Sequence, residues 1–211
     1  MEADPMSPAA APRSMSDPSA TAVPRTAASV APLEILLARA QRSELAAFRE
    51  LIRAHQDVVY TLALRMLKVP EDAEELAQDV FVSAHRHLGK ITCAAHLLFW
   101  LRRTVCHRAI DQLRRRPLHA ALPLDSVAEV PAADVSHDPL LERRLRDLVS
   151  RLPPMARAVV LLKYQEDLDP SEIARTLDMP LNTVKSHLQR SLASLRAGCD
   201  ELRPISAGSQ P

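Results

Sequence analysis

Residues 169–198 read DPSEIARTLDMPLNTVKSHLQRSLASLRAG, and this stretch decides the fold of the C-terminal half. Asp169-Pro170 has the form of a helix cap followed by proline at the first helical position, where a missing N–H costs nothing. Ile173, Ala174 and Leu177 fall on one side of the short helix that follows. Asp178-Met179-Pro180 makes a tight turn, and from about Leu181 to Gly198 the apolar residues Val184, Leu188, Leu192 and Leu195 share one stripe. Asn182, Lys185, Ser186, Gln189 and Arg190 point elsewhere. A short helix, a tight turn and a second helix with one apolar and one uncharged-to-basic face make a helix-turn-helix. Lys, Arg, Gln and Asn are the side chains that hydrogen-bond base edges in the major groove. A solvated face can look alike, but no acid lies between Met179 and Cys199, which favours DNA.

Upstream, Leu140, Leu141, Leu145, Leu148 and Val149 mark a helix opened by Asp138-Pro139. Pro153-Pro154 open another through Val159, Val160 and Leu161 to Tyr164. These predict a second helical module over residues 137–203, with a short disordered tail at 204–211. Residues 117–136 carry prolines and no period, and extended they reach roughly 65 Å, so they are expected to be a linker able to hold two modules apart.

A first module is expected over 33–116. Leu33, Leu36, Leu37 and Ala40 make a short amphipathic helix; Ser43 is a candidate N-cap for a long helix through Leu45, Leu51, Val59, Leu62 and Leu67. Glu71 to Leu88 follows after Pro70, with Leu76, Val80, Phe81 and Ala84 on its buried stripe and Gly89 as its stop. A basic helix from about Ala95 to Arg116 ends at Pro117. Residues 1–32 are rich in Pro, Ala, Ser and Thr and hold few large apolar side chains, so a disordered tail is expected there.

The fold class predicted is therefore all-α, two small helical domains on a flexible linker. The formal charge of +1 conceals sorted charge. No acid occurs from Val80 to Ile110, where Arg86, Lys90, Arg102, Arg103 and Arg108 stand with four histidines, while Glu71 to Asp79 holds five carboxylates and no base. Such sorting implies two kinds of partner, one polyanionic. Three widely spaced cysteines make no disulfide framework and fit a reducing cytosol. No apolar run is long enough for a membrane span, and the start lacks a secretory pattern, so a cytoplasmic protein without membrane partner is expected. His85, His87, Cys93 and His96, with Cys106-His107 near, match no compact metal pattern, so neither metal nor cofactor is expected. No Gly-x-Ser-x-Gly, P-loop or Gly-rich dinucleotide turn supports an enzyme.

Residues 152–154 (LPP), 158–164 (AVVLLKY), 172–174 (EIA) and 183–186 (TVKS) resemble region 4 of sigma factors. Residues 62–65 (LALR), 71–81 (EDAEELAQDVF), 99–101 (FWL) and 108–111 (RAID) resemble region 2. The two patterns in this order, with no third domain between, are similar to the extracytoplasmic-function (ECF) group of the sigma-70 family over about residues 33–200. Departures from the pattern fall at His85, where tryptophan is common, at Asp169-Pro170, at Asp178, where glycine is frequent, and at Leu192, where arginine is common.

The resemblance implies a promoter-specificity factor with no catalysis of its own, bound to core RNA polymerase and promoter DNA and controlled by an anti-sigma partner. It implies that Asp72, Glu75, Gln78 and Asp79 contact the polymerase. Lys90, Thr92, His96, Trp100, Arg103, His107, Arg108, Arg114 and Arg115, with Arg102 and Arg116 beside them, would serve the upstream melting element. A flipped base would enter a pocket around Lys90, Thr92, His96 and His107. Asn182, Thr183, Lys185, Ser186, His187, Gln189 and Arg190 would read the distal element. The alternatives are a stand-alone helix-turn-helix regulator that needs no polymerase and a metal- or redox-responsive module built on the His/Cys group.

Overall fold

The computed structural model describes residues 27–115 and 139–201, with side chains for 32–115 and 140–199, and every regular element among them is helical. The linker expected at 117–136, the tail before Ala27, the tail from 204, Arg116 and the Asp138 cap lie outside the described residues.

The N-terminal helices are α1 (Ala27–Gln41), α2 (Leu45–Leu67), α3 (Pro70–His87) and α4 (Ala94–Arg115), with a 3-10 turn at Leu88–Lys90. Helix α1 starts at Ala27, ahead of the Leu33 expected from sequence. Alanine has the highest helix propensity, and it carries the helix through Pro32 despite the lost N–H. Ser43 is not a cap either. It adopts a left-handed φ of 67° and donates to the Ala40 carbonyl, closing α1, while Glu44 takes the N-cap place of α2. Gln41 Nε2 ties this corner to the Leu88 and Ile91 carbonyls at 3.0 and 2.7 Å. Pro70 opens α3 as its first residue, and Glu71 and Asp72 in its first turn complement the helix dipole.

The C-terminal helices are α5 (Pro139–Arg151), α6 (Pro154–Tyr164), α7 (Pro170–Leu177) and α8 (Leu181–Glu201). Helix α7 opens at Asp169-Pro170 as expected, and the structure adds a capping box: Asp169 accepts from the Ser171 and Glu172 amides, and Glu172 accepts in return from the Asp169 amide. Asp178 ends α7 in the left-handed region, φ 55°, where glycine is the usual choice. Helix α5 departs from expectation. Leu148 and Val149 are packed, but Leu140, Leu141 and Leu145 are exposed.

The two modules are in contact. One apolar cluster runs from Leu62 and Met66 of α2 through Val105, Cys106 and Ile110 of α4 to Val159 and Leu162 of α6 and Ile173 of α7. Arg157 bridges them as well. It is buried in α6, donates to the Met66 carbonyl of α2, and donates to the Ser150 and Leu152 carbonyls at the end of α5. Three carbonyls that burial would leave unpaired are thereby satisfied by one guanidinium.

Candidate nucleic-acid and polymerase interfaces

Three surfaces gather the residues singled out from sequence. On α3, Glu75, Gln78 and Asp79 are exposed and Asp72 is half-buried, while Leu76, Ala77 and Val80 face the core. The 3.6-residue period puts the carboxylates on the outside because the apolar positions fill the inside. These acids line a shallow cleft whose other wall is Arg108, Asp111 and Arg115 of α4. Arg108, assigned to DNA from sequence, turns instead to α3: it lies 3.6 Å from Asp79 and donates to the Ser83 hydroxyl.

Along α4, residues 96, 100, 103, 107 and 114 recur at intervals of three, four and seven and so share one stripe of the helix. Its start carries Lys90, Thr92, His96 and Trp100. The Thr92 amide donates to His96 Nδ1 at 3.2 Å, fixing that nitrogen as an acceptor. Trp100 stacks tilted on His87, ring centroids 5.3 Å apart, and both remain partly accessible. His107 does not join this group. Eleven residues beyond His96, it lies about 16 Å further along the axis.

The middle of the stripe is occupied by the other module. Arg103 Nη1 donates to the Arg175 carbonyl at 3.0 Å, and its Nη2 lies 3.6 Å from Asp178. His107 Nε2 lies 3.3 Å from the Thr176 carbonyl; a carbonyl only accepts, so this nitrogen donates. Both basic groups therefore meet the C-terminal carbonyls of α7, the negative end of its dipole. Beside them Arg102 pairs with Glu166 at 2.8 Å, with side chains only 18% and 5% exposed. Arg102, expected on phosphate, thus meets a carboxylate that carried no expected role. A pair separated by 64 residues leaves no local signal. Arg114 and Arg115 are exposed at the end of α4.

The third surface is α8. Asn182, Lys185, Ser186, Gln189 and Arg190 are all exposed, Thr183 and His187 are half-buried, and Val184 and Leu195 are core. Burial, then the neighbouring Arg190, hold the His187 imidazole below its usual pKa. Helix α7 and the Asp178 turn set α8 across it, so the sequence-derived reading face is the one left open to solvent.

The His/Cys residues are spread out. His85 meets Phe48 edge-on, His87 stacks on Trp100, His96 holds Thr92, and Cys106 is buried, with burial pushing its thiol up to about 12. Among the described residues no three His, Cys, Asp or Glu side chains come together as a metal site, and no helix is long and apolar enough to cross a membrane.

Comparison with known proteins follows the same division. Residues 51–117 match the family model for sigma-70 region 2, and residues 142–195 match that for sigma-70 region 4. The chain is 32% identical over 160 residues to the ECF RNA polymerase sigma factor SigM of Mycobacterium tuberculosis, covering 76% of this chain and 81% of that one. It is 34% identical over 166 residues to the ECF sigma factor SigE of Mycolicibacterium smegmatis, covering 75% and 64%. Among solved structures, the sigma factor RpoE in complex with the anti-sigma factor NepR from Bartonella quintana has a TM-score of 0.60 at 19% identity, over 74% of this chain and 98% of that one. CnrH in complex with the cytosolic domain of CnrY has a TM-score of 0.59 at 24% identity, over 81% and 99%. These two share the fold. A region 2 match ahead of the helix-turn-helix removes the stand-alone regulator as an alternative. With both regions matched in order, and a relative above 30% identity spanning most of both chains, this chain belongs to the ECF group of sigma-70 family RNA polymerase sigma factors.

Proposed function

We propose that the three surfaces divide the work of promoter recognition by a polymerase-bound factor in the cytoplasm. The carboxylate face of α3, with Glu75, Gln78, Asp79 and Asp72, docks on core RNA polymerase. The α4 stripe holds the melted upstream element: Arg103 and Arg114 on phosphates, with Lys90, Thr92, His96 and Trp100 around an extruded base. The bare face of α8 reads the distal element through the major groove. The factor performs no chemistry of its own; the polymerase does. By likeness to relatives solved as complexes, an anti-sigma protein is the partner that withholds it from the polymerase.

The observation that carries this reading is the α8 face. Asn182, Lys185, Ser186, Gln189 and Arg190 stand exposed together on a helix whose other side is core, behind a capped first helix and a tight turn. The test is runoff transcription with core polymerase, with start sites mapped. Added protein is expected to create starts that core alone does not make. Failure to associate with core, or an unaltered transcript pattern, would remove the reading.

A further inference from the structure

We infer that a cavity bounded by α2, α5, α6 and α8 is a binding site for a small amphiphile, an acyl carboxylate whose head is held by Arg65 and Arg146. The site stands apart from the three surfaces proposed above and does not depend on them. The cavity measures about 450 Å³, within the roughly 300–1,000 Å³ typical of small-molecule sites. Most of its wall is hydrocarbon, from Leu64, Val149, Val160, Leu192 and Leu195. Leu148 of α5 lies so close to Gly198 of α8 that a Cβ there would collide with its side chain, and this contact seats the α5 wall on α8.

What marks this cavity is its unpaired polar atoms. Among the described residues four buried side-chain nitrogens or oxygens have no hydrogen-bond partner, and three belong to residues that line it: Arg65 Nε, Arg146 Nε and Gln165 Oε1. Buried polar groups are nearly always paired, because an unpaired one loses its hydration without return. Arg65 and Arg146 also repel one another: burial first, then Arg146, depress the Arg65 pKa. Glu142 and Asp147 share the walls, but among the described residues neither forms an ion pair with either arginine. With Lys68 the lining holds three cations against two acids, which leaves one positive charge unbalanced. An anion between the guanidiniums would pair both Nε–H groups and offset their repulsion. A single negative charge suffices, and the two acids would oppose a polyphosphate. A planar carboxylate matches the edge of a guanidinium, while an acyl chain matches the leucine and valine walls. Gln165 Oε1 can accept from a hydroxyl beside that head.

The test titrates the full-length chain with sodium decanoate by calorimetry, below the concentration at which decanoate forms micelles. Saturable binding, one decanoate per chain, is expected with a dissociation constant below about 1 mM. Decanol keeps the chain without the charge and acetate keeps the charge without the chain; each should bind at least roughly tenfold more weakly. 3-Hydroxydecanoate should bind about threefold more tightly than decanoate if Gln165 takes its hydroxyl. Arg65→Gln and Arg146→Gln should each weaken decanoate by about tenfold. Arg53→Gln, at an exposed cation of α2 outside the cavity lining, should leave its affinity unchanged.

Absence of saturable decanoate binding would overturn the site. Decanol binding as tightly as decanoate would overturn the anionic head, and an equal loss in Arg53→Gln would reduce the effect to bulk charge. No gain from 3-hydroxydecanoate would remove Gln165 from the contact set. Unchanged affinity in both Arg65→Gln and Arg146→Gln would overturn the placement. Should those variants lose helical content by circular dichroism, photolabelling of the wild-type chain decides. Decanoate bearing a diazirine at its tail is expected to crosslink to peptides carrying Val160, Leu192 or Leu195, and labelling confined to other peptides would overturn the placement.

Discussion

Helices α4 and α8 carry the same compositional signature, long acid-free stretches with basic and polar side chains, yet one face is covered and the other is bare. On α8 the core residues Val184 and Leu195 face inward and the polar set is exposed; among the described residues Arg190 Nε donates to the Ser186 carbonyl within α8 itself. On α4 the middle of the stripe meets Asp178 and the end of α7, and Arg102 beside it pairs with Glu166. Acid-free faces lack an internal counter-ion, and that lack has two remedies: a polyanion from outside, or acids from elsewhere on the chain. The α4 face uses the second in this structure, so composition predicts the need for an anion but not which anion fills it.

Three perturbations break or sharpen the contrast. The largest effect is expected from Ile173→Ala. Its side chain is fully buried in α7, and truncation should cost about 2–5 kcal/mol of unfolding free energy by urea titration. Because α7 both frames α8 and covers α4, distal-element binding should fall while α4 becomes more accessible. A variant as stable as wild type would show that α7 is not the shared support. Next, Lys185→Ala and Arg190→Ala should each weaken distal-element binding of the holoenzyme by about 1–3 kcal/mol per lost base contact. Footprints over the upstream melting element should be retained. Unchanged promoter output in both would remove the α8 face from the reading.

The smallest effect is expected from the cap. Hydrogen bonds from the Glu172 and then the Ser171 amide hold the Asp169 carboxyl below the usual aspartate range. A lowered folded pKa stabilises above the unfolded value, about 3.9, and the contribution is lost as pH falls through the folded value. Asp169→Asn should therefore lower the unfolding midpoint slightly at neutral pH and converge with wild type in acid. Parallel pH curves by circular dichroism would show that the carboxylate charge contributes nothing to α7.

What was legible in the sequence is what is local. Asp169 and Pro170 specify the start of α7, and the stripe of Val184, Leu188 and Leu195 fixes which side of α8 is open. Ser43 misled because a serine before a helix and a serine ending one in the left-handed region look alike. Leu140, Leu141 and Leu145 have the period of a buried face, but period does not say whether this chain supplies the cover. The Arg102–Glu166 pair and the Arg157 bridge depend on how two modules meet, which no short-range pattern encodes. Arg157 did leave one trace, a lone cation in the apolar run MARAVVLL, residues 155–162.

Asp178 occupies a backbone conformation that glycine adopts freely and that a side chain enters only at a cost. The same side chain reaches Arg103, a contact glycine cannot make. Exchanging it for glycine would ease the hinge of the DNA reader while cutting one of its tethers. Thermal robustness of the C-terminal half and restraint of the whole molecule are thereby set against each other at a single position, and a gain in one is a loosening of the other.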